Sequence, residues 1–128
     1  MQIIIQSYPA LSAAFVGIIT FYIHTFIGGK IVARPLLADN NLPKASKWLN
    51  YYCWHIATLT ILFVSFRFFK LALFPISSEL IELSIFALCL SVLSAIVALK
   101  GGINPLKFPS TTLFFLMGII GLFAGFSI

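Results

Sequence analysis

The chain has 128 residues, 61% of them hydrophobic and only 9% charged, with 14 Phe and a mean hydropathy of +1.10. A soluble domain carries about a quarter charged residues, and a single core of this size has no room for so much apolar surface, which a bilayer would solvate instead. The net charge of +5 comes from basic residues placed between apolar runs, with no interleaved aromatic stripe; that pattern suits anchors facing anionic headgroups and argues against nucleic acid as a partner.

In chain order, four apolar stretches approach the roughly 20 helical residues that cross a hydrocarbon core about 30 Å thick. They run from about Pro9 to Gly28, Trp48 to Phe66, Leu80 to Leu99 and Phe108 to Ile128. Uncharged runs of this kind are predicted to be helices, because each backbone polar group must be satisfied inside its own segment, and the alternating pattern of barrel strands is absent. The expected fold class is all-α, with residues 1–128 forming a single membrane domain, a polytopic antiparallel bundle of four transmembrane helices in contact with the lipid bilayer. Met1 to Tyr8 lacks the basic region that opens a signal peptide, and Ala13-Ala14 falls inside the apolar run, so the first stretch is expected to be a retained helix.

Punctuation supports these ends. Gly28-Gly29 before Lys30, and Lys100 before Gly101-Gly102, predict helix C-termini. Ser78 before Glu79 predicts an N-cap with an acid in the first turn. Pro9 suits the start of the first helix, and the other five prolines fall in connections or at a helix start.

The connections predict orientation. The first, 29–47, holds Lys30, Arg34, Lys44 and Lys47 against Asp39; the third, 100–108, holds Lys100 and Lys107. The second holds Arg67 and Lys70, offset by Glu79 and Glu82. Basic excess marks cytoplasmic loops, so connections one and three are expected inside and both chain ends outside. In lipid, helices associate through small residues and scattered polar contacts. Such faces are expected at Ala13, Gly17, Thr20, His24 and Gly28; at Tyr51, His55, Thr58, Leu62 and Ser65; at Ser84, Ala87, Ser91, Ser94 and Ala98; and at Gly118, Gly121 and Gly125.

His24 and His55 are the two histidines of the chain. His24 lies six residues before Lys30 and His55 eight after Lys47, which places them about 9 and 12 Å from those charges at 1.5 Å per residue and predicts similar depth near the cytoplasmic side. Tyr51 and Thr58 flank His55, and Thr20 lies one turn before His24. An ionisable residue within a membrane is a functional candidate, and four readings stay open. The histidines would hydrogen-bond across the helix interface through Tyr51, Thr20 and Thr58; they would ligate a haem b iron axially; they would bind a small polar ligand such as a quinone headgroup; or they would hold a metal, for which two ligands are too few to close a site. Glu82, about one turn into the third helix, is expected in an ion pair at the outer rim with Arg67 and Lys70. Cys53 and Cys89 differ in depth, which argues against a disulfide, and both are expected to be buried apolar residues. No phosphate-binding glycine loop, zinc-protease motif or nucleophile elbow is present.

His24-Thr25-Phe26-Ile27-Gly28, Ala33-Arg34-Pro35-Leu36-Leu37, Leu42-Pro43 and Cys53-Trp54-His55-Ile56-Ala57-Thr58 resemble a group of small bacterial membrane proteins without an assigned activity. In that group a His-bearing first helix is followed by a basic Arg-Pro-Leu-Leu loop and a Trp-His-x-x-Thr helix. The likeness covers the first half of the chain; His24 precedes Thr25, where part of the group has the reverse order. It implies a four-helix protein of the bacterial inner membrane and draws attention to the histidines. The functional expectation is an accessory or scaffolding subunit, with no catalytic residue, that packs with another membrane protein or with itself; the alternative is a haem b- or quinone-binding redox module using His24 and His55.

Overall fold

Ser7 opens the first helix. Its hydroxyl accepts the backbone N–H of Ala10 at 3.3 Å, and Pro9 sits in the first turn, where its missing N–H removes no helical bond. The computed structural model describes residues 6–128, so residues 1–5 of the stretch read against a signal peptide lie outside the described residues. The described chain is all-helical, and four helices are long and apolar enough to cross a membrane: α1 (Tyr8–Ala38), α2 (Lys44–Leu73), α3 (Ser77–Lys100) and α4 (Pro109–Phe126). The all-α class and the helix number match expectation, while several helix ends do not.

The largest correction concerns α1, which continues straight through Gly28-Gly29 and ends at Ala38. A glycine stops a helix by taking a left-handed conformation; among the described residues the glycine with positive φ is Gly102, and neither Gly28 nor Gly29 has one. Instead the helix widens, and Ile23–Ala33 is π-helical. The Arg34 N–H bonds back to Gly29, five residues earlier, just before Pro35, whose ring in a regular α-turn would press on the carbonyl four residues back. Widening also changes which residues turn inward. The buried face of α1 runs Ala10, Ala13, Ala14, Gly17 and Thr20, and the next fully buried residue is Ala33, five after Gly28, while Ile31 and Val32 face outward.

The other ends follow from capping. Lys47 donates its ammonium to the Leu37 carbonyl at 3.1 Å, satisfying an open carbonyl at the end of α1. It does so from inside α2, which starts at Lys44 and ends at Leu73, longer at both ends than the apolar run from Trp48 to Phe66. Helix α3 begins at Ser77 and not after Ser78; the Ser77 hydroxyl donates to the Gly125 carbonyl at 2.6 Å and so ties α3 to the end of α4. Gly101-Gly102 does end α3. Ile103 N–H bonds to Ala98 O at 2.8 Å and Gly102 N–H to Leu99 O at 3.1 Å, the paired bonds of a Schellman cap around left-handed Gly102.

The backbone N–H groups of Gln6 and Ser7 both reach the Ala72 carbonyl, at 2.9 and 3.0 Å, so α1 and α2 are antiparallel. Ser77 on Gly125 at one end and Ser94 on Ser110 and Thr111 at the other make α3 and α4 antiparallel as well. α1 also packs along α4, whereas α2 and α3 touch sparsely. The small-residue faces expected on α1, α3 and α4 are the buried ones: Ala13, Gly17 and Thr20; Ser84, Ala87, Ser91 and Ala98; Gly118, Gly121 and Gly125. A Cβ on Gly17 would overlap the Ser65 side chain and come within 3.2 Å of Ser65 Cα, so these two backbones are as close as they can be. The buried face of α2 is Ile61, Val64, Ser65, Phe68, Leu71 and Ala72, rotated from the expected one; Leu62 and His55 are exposed. Cys53 and Cys89 are free thiols on outward faces, not buried.

Gly17→Val should therefore lower the thermal unfolding midpoint in mild detergent, by an overpacking cost of about 1–3 kcal/mol. Gly29→Ala, whose Cβ would meet nothing within 4 Å, should leave it unchanged or raise it, as helix propensity favours Ala by about 1 kcal/mol. Equal losses in the two variants would contradict the packing.

Candidate functional site

The residues expected to form a site lie where α1 turns π-helical against the first half of α2. His24 is half-buried. Its ring stacks on the indole of Trp54, with centroids 4.0 Å apart and planes 17° from parallel, and its Nε2 lies 3.3 Å from the Trp54 carbonyl oxygen. A carbonyl only accepts, so Nε2 carries the proton in this contact, and a neutral ring keeps its lone pair on Nδ1. The same carbonyl accepts the Thr58 hydroxyl at 3.0 Å. Thus Trp54 holds His24 both by its ring face and by its backbone.

The expected polar constellation is only partly assembled. Thr20 is buried, and its hydroxyl donates to Val16 O at 2.7 Å, so that group is satisfied within its own turn. Tyr51 is half-buried and meets His55 edge-on, with centroids 4.6 Å apart and planes at 81°; it meets Trp48 in the same manner at 6.1 Å. His55 itself is exposed, about 100° around α2 from Trp54 at 100° per residue, so it flanks the interface that His24 enters. Similar depth and a shared polar face predict that the two histidines meet, but the rotation of α2 gives His24 the tryptophan instead.

Gly28, expected on the packing face of α1, and Thr25 take roles here that their spacing does not predict. Gly28 supplies room for the indole, since a Cβ there would stand 2.8 Å from Trp54 Cη2. Thr25 Oγ1 is buried with no hydrogen-bond partner among the described residues. A threonine in an α-helix can bond its hydroxyl to the carbonyl four residues back, as Thr58 and Thr60 do; Thr25, in the widened segment, makes no such bond. Trp54 was visible only as part of a motif, and the signal for Gly28 was its one-turn spacing from His24.

A haem iron held by both histidines would need the two Nε2 atoms free and facing one another, so His24 would have to leave its tryptophan. Among the described residues no three His, Cys, Asp or Glu side chains converge, so a closed metal site is not built around this pair.

At the opposite end of the bundle the expected ion pair forms with different partners. Arg67 bonds Glu79, in the first turn of α3, and not Glu82. Glu82 and Lys70 are exposed. The third polar group, on α3 and α4, is a closed hydroxyl cluster: Ser91 donates to Thr111 O at 2.7 Å, and Ser94 meets Ser110 Oγ at 2.6 Å and Thr111 Oγ1 at 2.9 Å. Each hydroxyl has a partner, which suits interhelical packing. No protein-family model, curated protein or solved structure matches the chain.

Thr25→Val should raise the unfolding midpoint in detergent, because it replaces an unpartnered buried hydroxyl by a methyl group at a gain of roughly 1 kcal/mol. His24→Ala should lower it by about 1–2 kcal/mol through loss of the stack and the hydrogen bond, with a change in tryptophan near-ultraviolet dichroism. A destabilised Thr25→Val variant would mean that its hydroxyl has a partner in solution.

Proposed function

We propose that the chain is a polytopic integral membrane protein that acts as an accessory or scaffolding subunit, packing with another membrane protein or with itself. The carrying observation is the division of its surfaces: small residues line the contacts between four apolar helices, while large apolar side chains such as Phe15, Ile18, Phe66, Ile85, Val92, Phe115 and Phe123 face outward. Water would not tolerate that exterior; lipid or a partner helix would. The polar groups are mostly consumed by packing, which favours an interaction role over catalysis. Kinship with the small bacterial proteins described above belongs to the same reading.

The orientation rests on charge. Lys30, Arg34, Lys44, Lys47, Lys100 and Lys107 lie at or beyond one end of the bundle, and Arg67 and Lys70 lie towards the other with two carboxylates. The basic end belongs on the cytoplasmic side, with Ser7 and Phe126 on the far side. A membrane-impermeant amine reagent should label the lysines of 30–47 in inside-out vesicles and Lys70 in right-side-out cells. The reverse pattern would overturn the orientation, and end reporters on opposite sides would remove the four-span arrangement. For the interaction role, mild-detergent purification should yield a complex larger than the monomer; a strictly monomeric species without a partner counts against it.

A second reading is a haem b or quinone site at His24 and His55. It is favoured by the long π segment, a feature that recurs at functional sites, and by the unspent hydroxyl of Thr25. Protein purified from its native membrane should then show a Soret band or release an extractable quinone; absence of both eliminates this reading.

A further inference from the structure

Because α2 and α3 touch sparsely, an open groove of about 370 Å³ lies between them, lined by Phe63, Arg67, Glu79, Glu82, Leu83 and Phe86. Its polarity is graded. Arg67, Glu79 and Glu82 lie nearest the short connection between the helices; Phe63 is four residues before Arg67, and Phe86 four after Glu82, so each aromatic ring is about 6 Å further along the groove at 1.5 Å per residue. Both rings are open, at 61% and 45% exposure.

The charges at the mouth do not cancel. Arg67 is committed to Glu79, and Glu82, exposed on the same helix face, has no ion-pair partner among the described residues. One guanidinium against two carboxylates leaves one negative charge over. Lys70, the other basic side chain of this end among the described residues, is exposed and outside the lining. Arg67 still has donors to spare, since a guanidinium carries five N–H groups and a single one goes to Glu79.

We propose that this groove binds a zwitterionic phospholipid whose headgroup ends in a primary ammonium. The inference rests on the membrane reading above, which sets the mouth at headgroup level and the aromatic part against the upper acyl chains. The ammonium donates to Glu82, the phosphodiester accepts from the free Arg67 donors, and Phe63, Leu83 and Phe86 receive the start of a chain. A trimethylated headgroup has no N–H to give Glu82, and an anionic headgroup brings a second negative charge to a mouth that already has one in excess. The order of preference therefore follows from hydrogen bonding and charge together.

The test is titration of the full chain in mild detergent with short-chain phosphatidylethanolamine, phosphatidylcholine and phosphatidylglycerol, with adducts read by native mass spectrometry. Phosphatidylethanolamine should bind most tightly, and Glu82→Gln should weaken it about tenfold, the effect of one charge-assisted hydrogen bond, while phosphatidylcholine, which loses only a charge attraction, should weaken less. Glu82→Lys should shift the preference towards phosphatidylglycerol. Equal adducts from the three headgroups on the unaltered protein, or unchanged selectivity in Glu82→Gln with normal helicity, would overturn the proposal. Should Glu82→Gln fail to fold, the headgroup comparison on the unaltered protein decides alone. The amine-labelling experiment separates the two failures: correct labelling without headgroup selectivity removes the lipid site only, and wrong labelling removes the membrane orientation beneath it.

Discussion

The bundle depends on the space left by Gly121. Phe68, from α2, is fully buried although α2 is not a main neighbour of α4, and its ring occupies the place that a side chain at position 121 would need. A Cβ there would stand 2.6 Å from Phe68 Cε1 and would also overlap the Ser84 hydroxyl. Helices α2, α3 and α4 thus converge on one missing methyl group. In the proposed lipid setting, helices gain little by hiding apolar surface from one another, so close van der Waals contact has to hold them together. Phe68 reaches from the α1–α2 hairpin into the α3–α4 hairpin, beside the broader seam of α1 against α4.

That seam has limited reach. α1 and α2 are 31 and 30 residues long, against 24 and 18 for α3 and α4, and the excess lies towards the basic end. There α1 has α2 as its neighbour, and burial falls away: in the π segment the fully buried residue is Ala33. Contact between α1 and α2 in this region comes from the His24–Trp54 stack, the cleft over Gly28 and the Lys47 bond to Leu37. The wider helix is tolerated where packing is thin, because no second partner demands an α-helical register from both of its sides.

How much of this was legible follows from what each signal measures. Apolar run length measures transfer into lipid, so it located four helices but missed Lys44–Lys47, which is helical without being apolar, and Arg34–Ala38, which lies beyond the Gly-Gly pair and Lys30. Small-residue spacing measures close approach, and it identified the buried faces of α1, α3 and α4. Gly-Gly was ambiguous by itself: at 101–102 a left-handed residue closes a Schellman cap, while at 28 the glycine makes room for an indole. Depth along a helix says nothing about rotation; the face expected on α2 from residue spacing is rotated in the structure, and that rotation brings Trp54 to His24. The same limit applies to Glu79, which takes Arg67 in place of Glu82, and to the two cysteines, which face outward.

The fate of the polar side chains narrows where chemistry can reside. Thr20, Ser65 and Ser84 spend their hydroxyls on the carbonyl one turn back in their own helices, and Ser91, Ser94, Ser110 and Thr111 spend theirs on one another or on a neighbouring carbonyl. Such groups add packing directionality without leaving a donor for a ligand. Among the described residues, two unpaired polar groups stand apart at the helix interfaces: the buried Thr25 hydroxyl at the widened part of α1, and the Glu82 carboxylate in the groove between α2 and α3. Each arises where helix contact is thinnest, beyond the end of the α1–α4 seam in one case and between the two sparsely touching helices in the other. Close packing closes off the interior of the bundle, and these two unpaired polar groups are left at its loosely packed margins.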